Sequence, residues 1–248
     1  MVGAMRADGI RGTEPAGVPR AVLLDALGTL VELPPPWPPL AQELAARGVA
    51  VGLDEARAAM RAEMAFYRAE HDRASDRAGL ASLRADCTAV LRRALGAPVR
   101  DLPDADLQAA LLAALRFRPY PEAPAVLRAL RAAGARLVVV SNWDVSLHDV
   151  LAATGLRGLL DGVVTSAELG AAKPAPAIFA AGLLAAGDVP ASAALHVGDD
   201  EEADAAGARA AGIPAVLLRR DGGPAPAGVR TIRSLSELLP GGPAGAAL

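Results

Sequence analysis

Four polar clusters carry the chemistry available to this chain of 248 residues. The first, at residues 25–29, is Asp25 followed by Ala26, Leu27, Gly28 and Thr29. It offers a carboxylate set among backbone N–H groups. The second contains Ser141, Asn142, Trp143 and Asp144, a hydroxyl beside a backbone amide. The third, at residues 170–174, delivers Lys173 from a loop just ahead of a helix. The fourth, at residues 198–204, is an acidic loop holding Asp199, Asp200 and Asp204. Carboxylates converging from two loops invite a hard divalent cation with oxygen ligands. A hydroxyl and an ammonium beside them suit an anionic group. Together these residues describe a phosphoryl or related anion held between Mg²⁺ and a lysine while a carboxylate attacks it.

Residue usage singles out the same positions. Lysine occurs once, at Lys173, and asparagine once, at Asn142, although arginine is abundant. Where any cation would serve, this chain uses arginine. A lone lysine therefore marks a position that needs a compact ammonium rather than a planar guanidinium.

These clusters must be positioned by short buried strands. Residues 21–24 (AVLL), 137–140 (LVVV), 161–165 (DGVVT), 194–197 (ALHV) and 215–218 (AVLL) are continuous apolar runs. Such runs are expected of parallel strands covered on both faces. Helical patterns at 124–133, 147–154, 176–186 and 204–211 alternate with them, so a doubly wound α/β sheet with right-handed crossovers follows. Ligands in such sheets bind at the carboxyl ends of the strands, where three of the clusters fall, with the one at 170–174 following the 161–165 strand.

The first two strands are too far apart in sequence for one crossover helix. Residues 53–67, 76–95 and 104–115 between them read as amphipathic helices, flanked by proline-rich stretches at 34–39 and 118–121 that act as stiff connectors. The expected organisation is a flexible leader at 1–19, a core from 20–33 and 118–236, an inserted helical cap at 34–117 and a flexible tail at 237–248. Residues 1–20 lack the apolar stretch of a signal peptide, and no apolar run reaches the roughly 18 residues that span a membrane. The formal net charge of −3 does not favour a nucleic-acid backbone. A small anionic molecule is the expected partner and the cytoplasm the expected location. The single cysteine, Cys87, reads as a small buried hydrophobe in a helix.

The four clusters, in this order, resemble motifs I to IV of the haloacid dehalogenase-like hydrolase superfamily. The insertion point resembles that of members with a helical cap between motifs I and II, and residues 120–212 are similar to that subgroup almost throughout. The resemblance implies that Asp25 is the nucleophile and a Mg²⁺ ligand. Ala26 and Leu27 would contribute backbone groups to the substrate, and Leu27 its carbonyl to the metal. Thr29 would orient the loop. Ser141, Asn142 (through its backbone N–H) and Lys173 would bind phosphate. Asp199 would ligate Mg²⁺, assisted by Asp204 or Asp200.

One position departs from the pattern. Phosphatases of this superfamily carry Asp-x-Asp in the first motif, the second acid protonating the leaving alcohol, whereas here that position is Leu27. Losing a general acid/base typically costs on the order of 10²–10⁴-fold. The implied activity is thus phosphatase-like hydrolysis of a small phosphorylated substrate, slow on ordinary monoesters unless the cap supplies an acid. Arg61, Tyr67, Arg68, His71 and Arg84 are the candidates there, and His71 is the one of the residue type that ordinarily exchanges protons around neutrality. His148 reads as helix surface and His196 as the edge of the core. A 2-haloacid dehalogenase needs no such acid, but that branch resembles Asp-x-Tyr-Gly-Thr in motif I and uses no Mg²⁺, at odds with the acidic cluster. A catalytically weak binding protein is the remaining alternative.

Overall fold

The computed structural model describes residues 19–239. Six strands form one parallel sheet in the order β5-β4-β1-β6-β7-β8. They are β1 (Ala21–Leu24), β4 (Arg136–Ser141), β5 (Gly162–Thr165), β6 (Ala194–Gly198), β7 (Ala215–Leu218) and β8 (Arg230–Ile232). The central three strands are almost wholly buried, as their mainly apolar sequences require. Alternate residues feed opposite faces. Val22, Leu24, Leu137 and Val139 pack on one side with Leu127 and Leu130 of α5 (Ala123–Ala132). Leu23, Val138 and Val140 pack on the other with Ile178 and Phe179 of α8 (Pro176–Ala185). Fully burying each of these large apolar side chains contributes roughly 1.5–3 kcal/mol. The remaining connections are α6 (Leu147–Ala153), α7 (Ser166–Leu169) and α9 (Gly207–Ala210).

Between the first and second sheet strands the chain makes a separate helical layer. It leaves along β2 (Val31–Glu32) and returns along β3 (Arg118–Pro119), which pair antiparallel with Val31 opposite Pro119. Four helices lie between them: α1 (Trp37–Ala45), α2 (Leu53–Glu70), α3 (Arg77–Leu95) and α4 (Asp104–Ala114). They bury a core of their own that includes Leu40, Leu44, Met60, Leu83, Leu91 and Leu107. Their starts are legible in local chemistry. Asp76 accepts a hydrogen bond from the Gly79 N–H at 2.7 Å, and Glu55 accepts one from the Gly52 N–H at 2.9 Å. Three hydrogen bonds tie this layer to the sheet: Tyr67 Oη to Asp144 Oδ2 at 2.9 Å, Ser166 Oγ to Asp72 Oδ1 at 2.5 Å, and Val145 N to Ala74 O at 3.0 Å.

Several expectations are corrected. The proline run at 34–39 is not all connector, because α1 begins within it at Trp37. Proline is well placed in a helix's first turn, where its missing N–H has no partner to lose. The helix expected at 204–211 begins earlier, as a π-helical turn at Glu201–Ala206 running into α9. The tail expected from 237 does not start there. Leu235–Leu238 form a helical turn capped by Ser234, with Leu235 and Leu238 buried on the core. Pro19 apart, the leader expected at 1–19 lies outside the described residues, as does the tail from 240. Among the described residues no helix is long and apolar enough to cross a membrane.

Candidate active site

Asp25 follows the last residue of β1, the central strand, and its N–H continues the ladder to Val197 O at 2.9 Å. Leu24 is paired with Val139 on one side and Val197 on the other. Ser141 and Asp199 each lie two residues beyond those partners. The register therefore brings three clusters to one edge. The turn after Asp25 is built on the Ala26 carbonyl, which accepts from the N–H groups of Thr29, Leu30 and Val31 at 3.3, 2.8 and 2.9 Å. Gly28 sits at φ +82°, and a Cβ there would lie 2.1 Å from Asp199 Oδ2. Only glycine lets this turn run so close to the carboxylate.

Lys173 is the centre of the site. Its ammonium donates to Asp25 Oδ1 and Asp204 Oδ1, both at 2.6 Å, with all three residues buried. Ser141 Oγ donates to the same Asp25 oxygen at 2.8 Å. Asn142 clasps the lysine loop through its side chain: Nδ2 donates to Lys173 O at 3.0 Å, and Oδ1 accepts from Lys173 N at 2.7 Å. On the far side His196 Nε2 lies 2.8 Å from Asp204 Oδ1, its ring edge-on to Phe179.

Electrostatics follow from one ammonium serving several acids. Burial raises the Asp25 carboxyl above its ordinary range, and the nearby Asp204 adds to the rise against the pull of Lys173. Burial likewise works against Asp204, but Lys173 and His196 outweigh it and hold this carboxyl low. Asp199, crowded by burial and by both other acids, is pushed up to about 7. Burial opposes the Lys173 charge, yet the two carboxylates keep it a cation. Asp25, Asp199 and Asp204 each present an oxygen, and these lie within 4.8 Å of one another. The spacing and the surplus negative charge suit a hard divalent cation.

The tertiary structure sorts the expected residues. Asp25, Ser141, Asn142, Lys173, Asp199 and Asp204 come together. Asp200 does not: it is exposed, and its carboxylate accepts from the N–H groups of Glu202 and Ala203 at 2.9 and 2.7 Å, capping the turn that follows. Thr29 is buried with its hydroxyl unpartnered, so no hydrogen bond from that group orients the loop. That task falls to Arg220, whose guanidinium donates to Gly28 O at 3.0 Å and Thr29 O at 2.8 Å while pairing with Glu122 at 2.6 Å. Nothing local in the sequence distinguishes Arg220 from its neighbour Arg219. His196 is not at the edge of the core but fully buried and bonded to Asp204. His148 is on the helix surface, 2.9 Å from Glu168. Cys87 is buried in α3, where burial pushes its thiol up and away from reactivity. Leu27 is 41% exposed, its apolar side chain turned to the space beneath the helical layer.

This arrangement is an α/β fold that gathers a buried aspartate, its lysine counter-ion and an acidic cluster at one edge of a parallel sheet. The chain belongs to the haloacid dehalogenase-like hydrolases, whose family model matches residues 19–212. It is 41% identical over 127 residues to haloacid dehalogenase-like hydrolase domain-containing protein 3 of Bos taurus, covering 48% of this chain and 49% of that protein. It is 39% identical over 106 residues to a phosphoserine phosphatase of Thermus thermophilus, covering 42% of each protein. The chain thus spans about half the length of the curated relatives it matches. Among solved structures, a HAD phosphatase from Thermococcus onnurineus superposes with a TM-score of 0.59 at 26% identity, over 88% of this chain and 95% of that one.

Proposed function

We propose that this hydrolase is a Mg²⁺-dependent phosphatase acting on a small phosphorylated molecule through an aspartyl-phosphate on Asp25. The carrying observation is the 2.6 Å contact of Lys173 Nζ with Asp25 Oδ1 beside three carboxylates within 4.8 Å. Asp25, Asp199 and Asp204 would hold Mg²⁺, with the Leu27 carbonyl beside them. When bound, the metal offsets charge on the phosphoryl oxygens and on the acids.

The chain's own residues do the rest. Ser141, Lys173 and the backbone N–H of Asn142 bind the phosphoryl oxygens. A carboxylate oxygen of Asp25 attacks phosphorus, the ester P–O bond breaks with its electron pair going to the leaving oxygen, and that oxygen departs as the alkoxide and takes a proton from water. Water then attacks the phosphorus of the aspartyl-phosphate, releasing inorganic phosphate and restoring Asp25. Leu27 has no proton to give the leaving oxygen, so leaving groups of low pKa are favoured. The helices at 34–117 act as a cap that closes over the strand ends and excludes water.

Assays of 4-nitrophenyl phosphate and 2-chloropropionate, each with Mg²⁺ and with chelator, test this reading. Chelator-sensitive phosphate release that disappears in Asp25→Asn is expected. Metal-independent chloride release would establish the dehalogenase instead, and turnover of neither would leave a binding protein.

A further inference from the structure

Beneath the helical layer lies a cavity of about 460 Å³. Its walls are apolar, with Met64, Leu80, Leu83, Leu111 and Phe117 prominent. Leu27 and Asn142 also line it, so its floor is the loop two residues from Asp25 and the residue next to Ser141. Set into this wall is Glu63 of α2, only 4% exposed. Its carboxyl meets the Cys87 thiol and no cation, and burial pushes it up to about 7. A buried acid without a charged partner costs stability. The packing of α2 does not call for one, since its other buried positions, Ala56, Ala59 and Met60, are apolar. An acid retained at such a cost and facing an apolar cavity is placed to read a ligand.

We infer that the cavity receives the organic part of the substrate and that Glu63 recognises a neutral hydrogen-bonding group, a hydroxyl, on an otherwise apolar chain or ring. This rests on the phosphatase reading for the position of the anionic head. An ammonium fits less well, because Arg68 and Arg84 line the same cavity and like charges repel there.

Calorimetric titration of the full chain, with Mg²⁺ present, against a homologous series of alkyl phosphonates measures this without turnover. Each phosphonate is compared with its ω-hydroxy and ω-amino counterparts. At one chain length the ω-hydroxy compound binds about tenfold tighter than the plain one, the scale of one buried hydrogen bond. The preference disappears in Glu63→Met and survives in Glu63→Gln. No preference in the wild type, a preference retained in Glu63→Met, or tighter binding of the ω-amino series would overturn the inference. Hydrolysis of 4-nitrophenyl phosphate is followed in parallel. Absence of turnover with the hydroxyl preference intact would sink the phosphatase reading alone, and turnover without the preference would sink the Glu63 assignment alone.

Discussion

The only asparagine of the chain holds the only lysine: both ends of the Asn142 side-chain amide bond the backbone of Lys173, at 3.0 and 2.7 Å. A carboxylate would repel the lysine carbonyl and a hydroxyl could not span both groups, so the residue type follows from the contact. Asn142→Ala removes two hydrogen bonds across two loops. It is expected to lower stability by about 1–3 kcal/mol and kcat/KM by roughly 10–100-fold, since Lys173 loses its fixed position. Urea unfolding and steady-state kinetics on an aryl phosphate check both; unchanged kinetics would remove Asn142 from the site.

Lys173→Met leaves Asp25 and Asp204 buried without their shared ammonium. Breaking a buried pair in this way costs about 3–5 kcal/mol. The expected loss at pH 7 shrinks at low pH, where protonation relieves the raised Asp25 carboxyl first. Urea midpoints at several pH values measure this, and a uniform loss across pH would contradict the charge argument.

Gly28→Ala tests the close approach of the first turn to the acidic cluster. The new Cβ would stand 2.1 Å from Asp199 Oδ2 at a φ of +82°, so Asp199 or the turn must move. Mg²⁺ affinity by calorimetry is expected to fall about tenfold or more, because hard cations need their carboxylates in place. Retained affinity would show that Asp199 is not a ligand.

Leu27→Asp places a carboxyl where a leaving group would need a proton. General acid catalysis supplies on the order of 10²–10⁴-fold, chiefly for poor leaving groups. Turnover of an alkyl phosphate is expected to rise relative to 4-nitrophenyl phosphate. An unchanged ratio would mean that protonation already comes from elsewhere.

Glu63 sets a pH dependence of stability. Its folded value of about 7 lies above the ordinary 4.5, so the folded state binds the extra proton. The contribution of Glu63 to stability is then greatest below about pH 4.5 and declines as pH rises towards 7, by up to about 3 kcal/mol. Glu63→Gln removes the ionisation, so its advantage over the wild type grows between these values and levels off above pH 7. Thermal unfolding across this range checks it, and a constant difference between the two proteins would refute it.

Sequence alone determined the fold and most of the site, for a definite physical reason. Buried parallel strands are continuous apolar runs, so β1 and β7 are legible to the residue, and polar residues just beyond such runs must fall at one edge of the sheet. Asp25, Ser141 and Asp199 were therefore readable from spacing and residue type, and Lys173 from being the one lysine in an arginine-rich chain. What tertiary structure decided are contacts with no local signature. Asp204 meets Lys173 while its neighbour Asp200 turns to cap its own helix; both are acids in one loop, and only the position of the lysine separates them. His196 lies in an apolar strand and is linked to the site by the return of Asp204 from the next turn. Arg220 reaches the Gly28 and Thr29 carbonyls from the far end of the chain. Glu63 reads as one more charge on an amphipathic helix until packing turns it inward against Cys87. Periodicity records which face of an element is buried, but not which distant side chain it will meet there.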